Sequence, residues 1–150
     1  ARDILRSAKS LNKKVIIPTD LLISNSIETK IIDITKENIE KGWMALDLGV
    51  QSQQEFVRVI SESKTVFING PMGKFEDEKF THGTRVVFTA LKDLTKDISC
   101  ETVIAGGDTI DAARKYTDLK DYSHVSLAGG ATLEFLVGKE LPALVPLIEA

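Results

Sequence analysis

The sequence has few of the residues that build a cross-linked, metal-dependent or membrane-embedded fold. Cys100 is the one cysteine in 150 residues, which excludes an internal disulfide and favours a reducing compartment. Its apolar runs are short and interrupted, far below the roughly 18 residues of a membrane span. His82 and His124 have no cysteine or glutamate nearby at zinc-ligand spacing. We therefore expect a cytoplasmic protein that folds without cross-links.

A strong charge of either sign is also lacking. Lysine and arginine number 19 against 22 aspartates and glutamates, a formal net charge of −3. This balance disfavours a nucleic-acid binder, which usually has a basic patch. Hydrophobic residues make up 43% and charged residues 27%, as in an ordinary packed domain, and a chain of this length can bury a full core. The composition predicts a globular domain that binds neither nucleic acid nor membrane.

Short apolar strands alternate with helical patterns along the chain. Five runs rich in β-branched or other apolar residues predict strands, at 14–18, 43–48, 65–68, 102–104 and 123–127. Five segments have apolar residues at helical spacing, at 1–12, 51–63, 78–96, 109–116 and from the turn at 128–132 to about 138. A small β-hairpin, or two short edge strands, is predicted near residues 21–34. This order predicts an α/β fold with a Rossmann-like, mostly parallel sheet and helices on both faces.

Three predicted strands end in glycine-containing turns, at residues 69–73, 105–109 and 128–132. Glycine lets the backbone approach a ligand closely, and the helix that follows offers unpaired N–H groups to phosphate. In open α/β sheets, ligands bind beyond the carboxyl ends of the strands. Asp108 or Thr109 is expected to cap the helix that begins there. The turns predict a phosphate-binding edge, although each is also compatible with simple turn punctuation.

The turn at residues 69–76 shares its sequence with a known family. Asn-Gly-Pro-Met-Gly-Lys-Phe-Glu resembles the N-G-P-M-G-V-F-E signature of phosphoglycerate kinase. Residues 104–109 and 123–134 resemble that family's G-G-G-D-T turn and its S-H-V-S-T-G-G-G-A-S-L-E segment, in the right order. Further matches occur at residues 15–20, 42–47 and 136–142. The motifs are specific because they occur together, and the resemblance extends over essentially the whole chain.

The resemblance implies phosphoryl transfer between 1,3-bisphosphoglycerate and ADP, with Mg²⁺, in glycolysis and gluconeogenesis. The family has two α/β domains, and the carboxyl-terminal domain binds the nucleotide. Residues 1–150 are expected to be part of that domain, because the phosphoglycerate-binding amino-terminal domain and the start of the nucleotide domain have no counterpart here. The uncapped helical pattern at Ala1 agrees with a cut end. We expect the intact enzyme to be a monomer, and this chain alone to be inactive and to self-associate through an exposed sheet edge.

The resemblance also assigns roles at the nucleoside end of the expected site. Leu46 would form an apolar wall for the adenine of ADP or ATP. Asn69 and Pro71 would line the nucleotide pocket. Glu76 would accept hydrogen bonds from the ribose hydroxyls.

The glycine turns would hold the phosphates and the metal. Asp108 is implied as the Mg²⁺ ligand, an oxygen donor suited to a hard cation. Gly107 and Thr109 would offer a backbone N–H and a hydroxyl to phosphate. Gly129 and Gly130 would bring helix N–H groups to the phosphoryl group in transfer, where positioning accounts for most of the catalysis.

The sequence departs from the family pattern at several of these turns. Alanine replaces the first glycine of two turns, at Ala105 and Ala128, and Leu127 replaces a threonine. Lys74 stands where the family usually has an apolar residue against the adenosine, and Val50 replaces a proline. These changes leave open a second interpretation, a module that binds adenine nucleotides without catalysis. A third interpretation treats the turns as structural only.

Overall fold

Two small sheets organise the chain in the computed structural model, which describes residues 1–97 and 100–148. One sheet is antiparallel in the order β2-β1-β3, with β1 at Asp20–Ser24, β2 at Thr29–Asp33 and β3 at Met44–Leu48. The other is parallel in the order β4-β5-β6, with β4 at Thr65–Ile68, β5 at Glu101–Ala105 and β6 at His124–Ser126. The helices are α1 (Arg2–Ser10), α2 (Val50–Ser61), α3 (His82–Thr95), α4 (Gly107–Tyr116), α5 (Gly130–Leu136) and α6 (Val145–Ile148). Short 3₁₀ turns occur at Glu78–Phe80 and Leu119–Asp121.

The parallel sheet and its helices form two consecutive βαβ units. Helix α3 connects β4 to β5, and α4 connects β5 to β6. Their apolar faces cover the central strand, so that Phe88 and Ile104 are fully buried. The rings of Phe88 and Tyr122 pack edge to face with their centroids 6.4 Å apart, an arrangement that aromatic pairs favour. The predicted α/β fold with a parallel sheet and flanking helices is confirmed.

The predicted hairpin near residues 21–34 is also present. β1 and β2 pair in antiparallel register, from Asp20 opposite Asp33 to Ser24 opposite Thr29. The turn between them is closed by Asn25, whose Oδ1 accepts from the N–H groups two and three residues later, at 3.0 and 2.7 Å. β3 pairs antiparallel with the other side of β1, which completes the smaller sheet.

The strand predicted at residues 14–18 was wrong. These residues are irregular in the structure, and Ile16 lines an apolar cavity of about 250 Å³ beside β4, together with residues of α2 and α3. A strand needs a neighbour to hydrogen-bond with, and β4 pairs only with β5 among the described residues. Pro18 also lacks an N–H to donate to a ladder. The apolar run therefore packs beside the sheet without joining it.

Two helices are capped by aspartates from the antiparallel sheet and not by residues of their own. The N-cap residues of α2 and α3, Gly49 and Thr81, make no side-chain cap bond. At α2, Asp20 of β1 accepts hydrogen bonds from the backbone N–H groups of Gln51 (3.0 Å) and Ser52 (2.7 Å). This bond pattern fixes the start of α2 against the smaller sheet.

Candidate functional site

The loops after β4, β5 and β6 meet at the carboxyl edge of the parallel sheet. The side-chain amide of Asn69 donates to the carbonyl of Ala105 at 3.0 Å. The N–H of Gly70 donates to the hydroxyl of Thr109 at 2.7 Å, and the N–H of Gly106 donates to the carbonyl of Ser126 at 3.0 Å. These three bonds join the glycine turns into one surface, where the sequence predicted a ligand edge.

Two glycines make room for the Asn69 amide at the centre of this surface. A Cβ on Gly106 would lie 3.2 Å from Asn69 Nδ2 and 3.5 Å from the Cα of Gly129. A Cβ on Gly129 would in turn lie 3.3 Å from the Cα of Gly106. Gly106 also has a φ of +94°, which side-chain-bearing residues rarely adopt. Gly107 and Gly130, by contrast, face open space: apart from their chain neighbours and the backbone of their own helix, no heavy atom lies within 4 Å of a Cβ built there.

The start of α4 is left open to an approaching anion. The helix begins at Gly107 after the N-cap Gly106, and no side chain caps it. The expectation that Asp108 or Thr109 would be the cap was therefore wrong: the helix begins earlier, so both residues lie inside its first turn. Asp108 is exposed to solvent, whereas Thr109 is buried and its hydroxyl accepts the Gly70 N–H. The leading N–H groups of a helix have no acceptor within it, and they attract negative charge.

A cleft of about 230 Å³ lies next to this edge. It is lined by both strands β1 and β3 and by the loop after β4, through Leu21, Ala45, Leu46, Asp47, Pro71, Met72, Gly73 and Lys74. Leu46 and Pro71, both predicted from the sequence, therefore lie on the same cleft. Asn69 lies instead with the glycine turns, and Glu76 is an exposed residue of the turn that follows. The cleft adjoins the glycine turns, because Pro71, which lines the cleft, directly follows Gly70, whose N–H donates to Thr109.

The sequence analysis missed a buried carboxylate beneath the cleft. Asp47 is 3% exposed, and its oxygens accept from the N–H groups of Leu48 (2.8 Å) and Gly83 (2.9 Å). Burial raises the pKa of Asp47 above its ordinary value, although the two backbone donors and the nearby His82 oppose the shift. The sequence does contain a signal for this site: Asp47 is an acidic residue within an apolar strand, and a buried carboxylate needs hydrogen-bond partners.

A lysine of α4 holds the turn that contains Glu76, a contact that the sequence analysis also missed. Lys115 donates from Nζ to the carbonyl of Phe75 at 2.8 Å and lies 5.1 Å from the centre of its ring. The Phe75 side chain is buried in the core. The N–H of Lys74 donates to the carbonyl of Leu46 at 2.8 Å, which ties the same turn to β3. The loop is thus attached to β3 of the antiparallel sheet and to α4, which packs on the parallel sheet.

The departures from the family pattern fall into two environments. The methyl group of Ala105 is fully buried in the sheet, so it does not face the open edge. Ala128 is exposed, and Leu127 is 81% exposed, so both residues change the surface that a ligand would meet. Lys74 is exposed at the cleft.

The metal-binding capacity of the edge is limited. Within residues 1–97 and 100–148, no group of three or more histidine, cysteine, aspartate or glutamate side chains is arranged to hold a metal ion. Mg²⁺ commonly uses one or two carboxylates together with the phosphates of a substrate. Asp108, an exposed carboxylate beside open helix N–H groups, fits such a shared ion and not a metal site built from protein alone.

The described part of the chain contains no helix that is both long and apolar enough to cross a bilayer.

Comparison with known proteins agrees with the resemblance of the motifs. The family model for phosphoglycerate kinase matches residues 1–139. The phosphoglycerate kinase of Thermosipho africanus is 44% identical over 149 residues, which cover 96% of this chain and 36% of that protein. The cytosolic phosphoglycerate kinase of Triticum aestivum is 41% identical over 155 residues, which cover 100% of this chain and 38% of that protein.

Similarity to solved structures supports the same assignment. The structure of phosphoglycerate kinase from Coxiella burnetii superposes with a TM-score of 0.84 at 28% identity, over 99% of this chain and 37% of that one. The chain thus spans little more than a third of the length of the relatives that it matches. Since the family model and these alignments extend over nearly all of its residues, the chain belongs to the phosphoglycerate kinase family.

Proposed function

We propose that this chain forms part of the Mg-nucleotide site of a kinase that transfers a phosphoryl group between 1,3-bisphosphoglycerate and ADP, yielding 3-phosphoglycerate and ATP. Family membership supports the reaction class. The observation that supports the site is the convergence of three glycine turns around Asn69, beside an open helix N-terminus and a cleft wide enough for part of a nucleoside.

The adenosine end of the nucleotide would occupy the cleft. Leu46 and Pro71 offer apolar walls on opposite elements, which suits a flat aromatic base. Asn69, at the junction of the turns, would orient the nucleotide between its base and its phosphates. Glu76 would accept hydrogen bonds from the ribose hydroxyls, a role open to it because its side chain is exposed.

The phosphate end would lie against the turns after β5 and β6. Gly107 would offer a backbone N–H at the first turn of α4, and Thr109, whose hydroxyl oxygen accepts from the Gly70 N–H, would donate its hydroxyl proton to phosphate. Asp108 would be the protein ligand of Mg²⁺, which, when bound, would neutralise charge on the nucleotide phosphates. Gly129 and Gly130 would present backbone N–H groups to the phosphoryl group in transfer.

The isolated chain is proposed to be inactive. It spans 36% of the Thermosipho africanus relative, and the basic residues that hold phosphoglycerate in the family are expected in the remainder. The intact enzyme is proposed to act as a monomer in the cytosol, in keeping with the lone Cys100. In a coupled assay that follows ATP consumption through NADH oxidation, we expect no turnover from this chain alone. Turnover comparable to that of a complete kinase would overturn the proposal of inactivity.

Calorimetric titration with Mg-ADP tests the site itself. We expect the wild-type chain to bind Mg-ADP and Asp108→Asn to weaken binding about tenfold, because the amide is a poorer Mg²⁺ ligand. Asp111→Asn is the matched control, since Asp111 is an exposed carboxylate of the same helix, one turn further along. An absence of binding heat at millimolar nucleotide, or equal affinities for the two variants, would refute the assignment.

The alternative is a module that binds adenine nucleotides without catalysis. The exposed Leu127 and Ala128 favour it, because they replace a hydroxyl and a glycine at the edge where transfer would occur. Kinase activity in the complete gene product, abolished by Asp108→Ala, would exclude this alternative. Mg-ADP binding without any activity in the complete product would support it.

A further inference from the structure

The buried carboxylate of Asp47 contacts three separate elements. It belongs to β3, and one of its oxygens accepts from the N–H of Gly83 in the first turn of α3 at 2.9 Å. Its other oxygen accepts from Leu48 at 2.8 Å and lies against Gly73 of the cleft loop, as we call residues 71–74 after β4, where an added Cβ would be only 2.5 Å away. Among the described residues, no lysine or arginine side chain pairs with it.

The carboxylate replaces a cap that α3 does not supply for itself. Thr81, at the N-cap position, makes no cap bond, and its hydroxyl donates instead to the carbonyl of Glu78 at 3.3 Å. An anion at a helix N-terminus interacts favourably with the exposed N–H groups and the helix dipole. The position of α3 relative to β3 therefore depends on the charge of Asp47.

The same turn of α3 binds the cleft loop. The N–H groups of Met72 and Gly73 point to the hydroxyl of Thr84, at 3.2 and 3.3 Å, and Thr84 is fully buried. The chain at Gly73 passes between Asp47 and the carbonyl of Phe80, which a Cβ there would approach to 2.6 Å. The loop that contributes Pro71 and Lys74 to the cleft is thus held between Asp47 and α3.

We propose that Asp47 is a positioning residue for nucleotide binding: together with Thr84, it fixes the cleft loop against β3 and so sets the distance between Leu46 and Pro71. This inference rests on the proposed function. Preorganised walls spare the ligand the entropic cost of ordering the loop, so that loss of this support would weaken binding although the Asp47 oxygens are bonded to the backbone of Leu48 and Gly83.

Asp47 and Asp20 differ in how strongly their surroundings favour the ionised carboxyl group. Burial raises the pKa of Asp47, which means that its surroundings favour the carboxylate less than water does. The groups that face it are the backbone donors of Leu48 and Gly83 and the ring of His82 on α3. Asp20 provides the contrast, because the pKa of that carboxyl lies below its ordinary value: burial raises it, but hydrogen bonds from Ser52 and Gln51 together outweigh burial.

The test compares Asp47→Asn with Asp20→Asn in the full 150-residue chain, titrated with Mg-ADP. The two substitutions remove the same charge from a buried helix-capping site, but the Asp20 oxygens bond to residues of α2, away from the cleft loop. We expect Asp47→Asn to weaken Mg-ADP binding about tenfold and Asp20→Asn to change it less than about twofold. Equal effects of the two variants, or an unchanged affinity in Asp47→Asn, would overturn the proposal.

A second pair of variants keeps the proposal testable if Asp47→Asn does not fold. Thr84→Val removes the hydroxyl that accepts from the cleft loop while keeping the side-chain shape, and Thr84→Ser retains the hydroxyl. We expect Thr84→Val to weaken Mg-ADP binding and Thr84→Ser to keep the affinity of the wild-type chain. Equal affinities for the two variants would contradict the inference. If the wild-type chain itself fails to bind Mg-ADP, the proposed function fails, which is a separate outcome.

Discussion

Neighbouring glycines in the turn after β5 should respond in opposite ways to the same substitution. Gly106 has a φ of +94°, and a Cβ there would lie 3.2 Å from Asn69 Nδ2. Positive φ costs an alanine roughly 1–2 kcal/mol, and the crowded amide would strain its bond to Ala105, a bond worth about 1 kcal/mol. Alanine also restricts the unfolded chain, which returns about 0.4–1 kcal/mol. We therefore expect Gly106→Ala to lower the free energy of unfolding by about 2 kcal/mol.

Gly107→Ala is the matched comparison. Its Cβ would enter open space at the first turn of α4, and its φ is not positive. Alanine is better than glycine within a helix by roughly 0.5–1 kcal/mol, so Gly107→Ala should be neutral or stabilising. Urea unfolding followed by circular dichroism measures both variants, and a difference of about 2–3 kcal/mol is expected between them. Free energies of unfolding within about 0.5 kcal/mol of each other would refute the close approach of the turns.

Three further predictions concern charge, core and association. Asp20→Asn should lower the free energy of unfolding by about 1–2 kcal/mol at pH 7. Because the pKa of Asp20 is lowered in the folded chain, this loss of stability should shrink as the pH falls through that pKa, below 3.8. A loss of stability that is independent of pH would contradict the prediction. Phe88→Ala, at a fully buried position, should cost about 3–5 kcal/mol in thermal or urea unfolding. Phe135→Ala, at a position 62% exposed, should lower the free energy of unfolding by less than about 0.5 kcal/mol, and similar losses for Phe88→Ala and Phe135→Ala would be inconsistent with this core. The isolated chain should form dimers or larger species in light scattering, since β4 pairs only with β5 among the described residues, and a clean monomer would contradict the prediction.

The strand–turn–helix units were predictable because their signals are local. An apolar β-branched run, a glycine and then helical spacing occur within about fifteen residues, and the structure has β4, β5 and β6 with their turns where these patterns lie. The segment at 14–18 has a similar apolar composition and is not a strand, because a strand also needs hydrogen bonds to a neighbour and this segment packs beside β4 without forming them.

The meeting of the glycine turns at one edge follows from the sheet topology, whereas the contacts of Asp47 and Asp20 that hold the helices and the loop do not. Parallel strands bring their carboxyl ends to one edge, so the meeting of Asn69 with the turn at Gly106 was expected. The contact between Asp47 and Gly83 joins residues 36 positions apart, and neither residue has a local pattern that names its partner. Capping from another element is likewise invisible to a local motif, which is why Asp20 was not recognised as a cap for α2.

The claim that the carboxyl edge of the parallel sheet is the nucleotide site is tested most directly by NMR on the ¹⁵N-labelled chain. Glycine amides are well separated in such spectra, and they occur both at the edge and away from it. On titration with Mg-ADP, we expect the amide signals of Gly70, Gly107 and Gly129 to shift with a common saturation curve, while those of Gly42 and Gly138 stay in place. Shifts at Gly42 and Gly138 alone, or an unchanged spectrum at saturating nucleotide, would contradict the account.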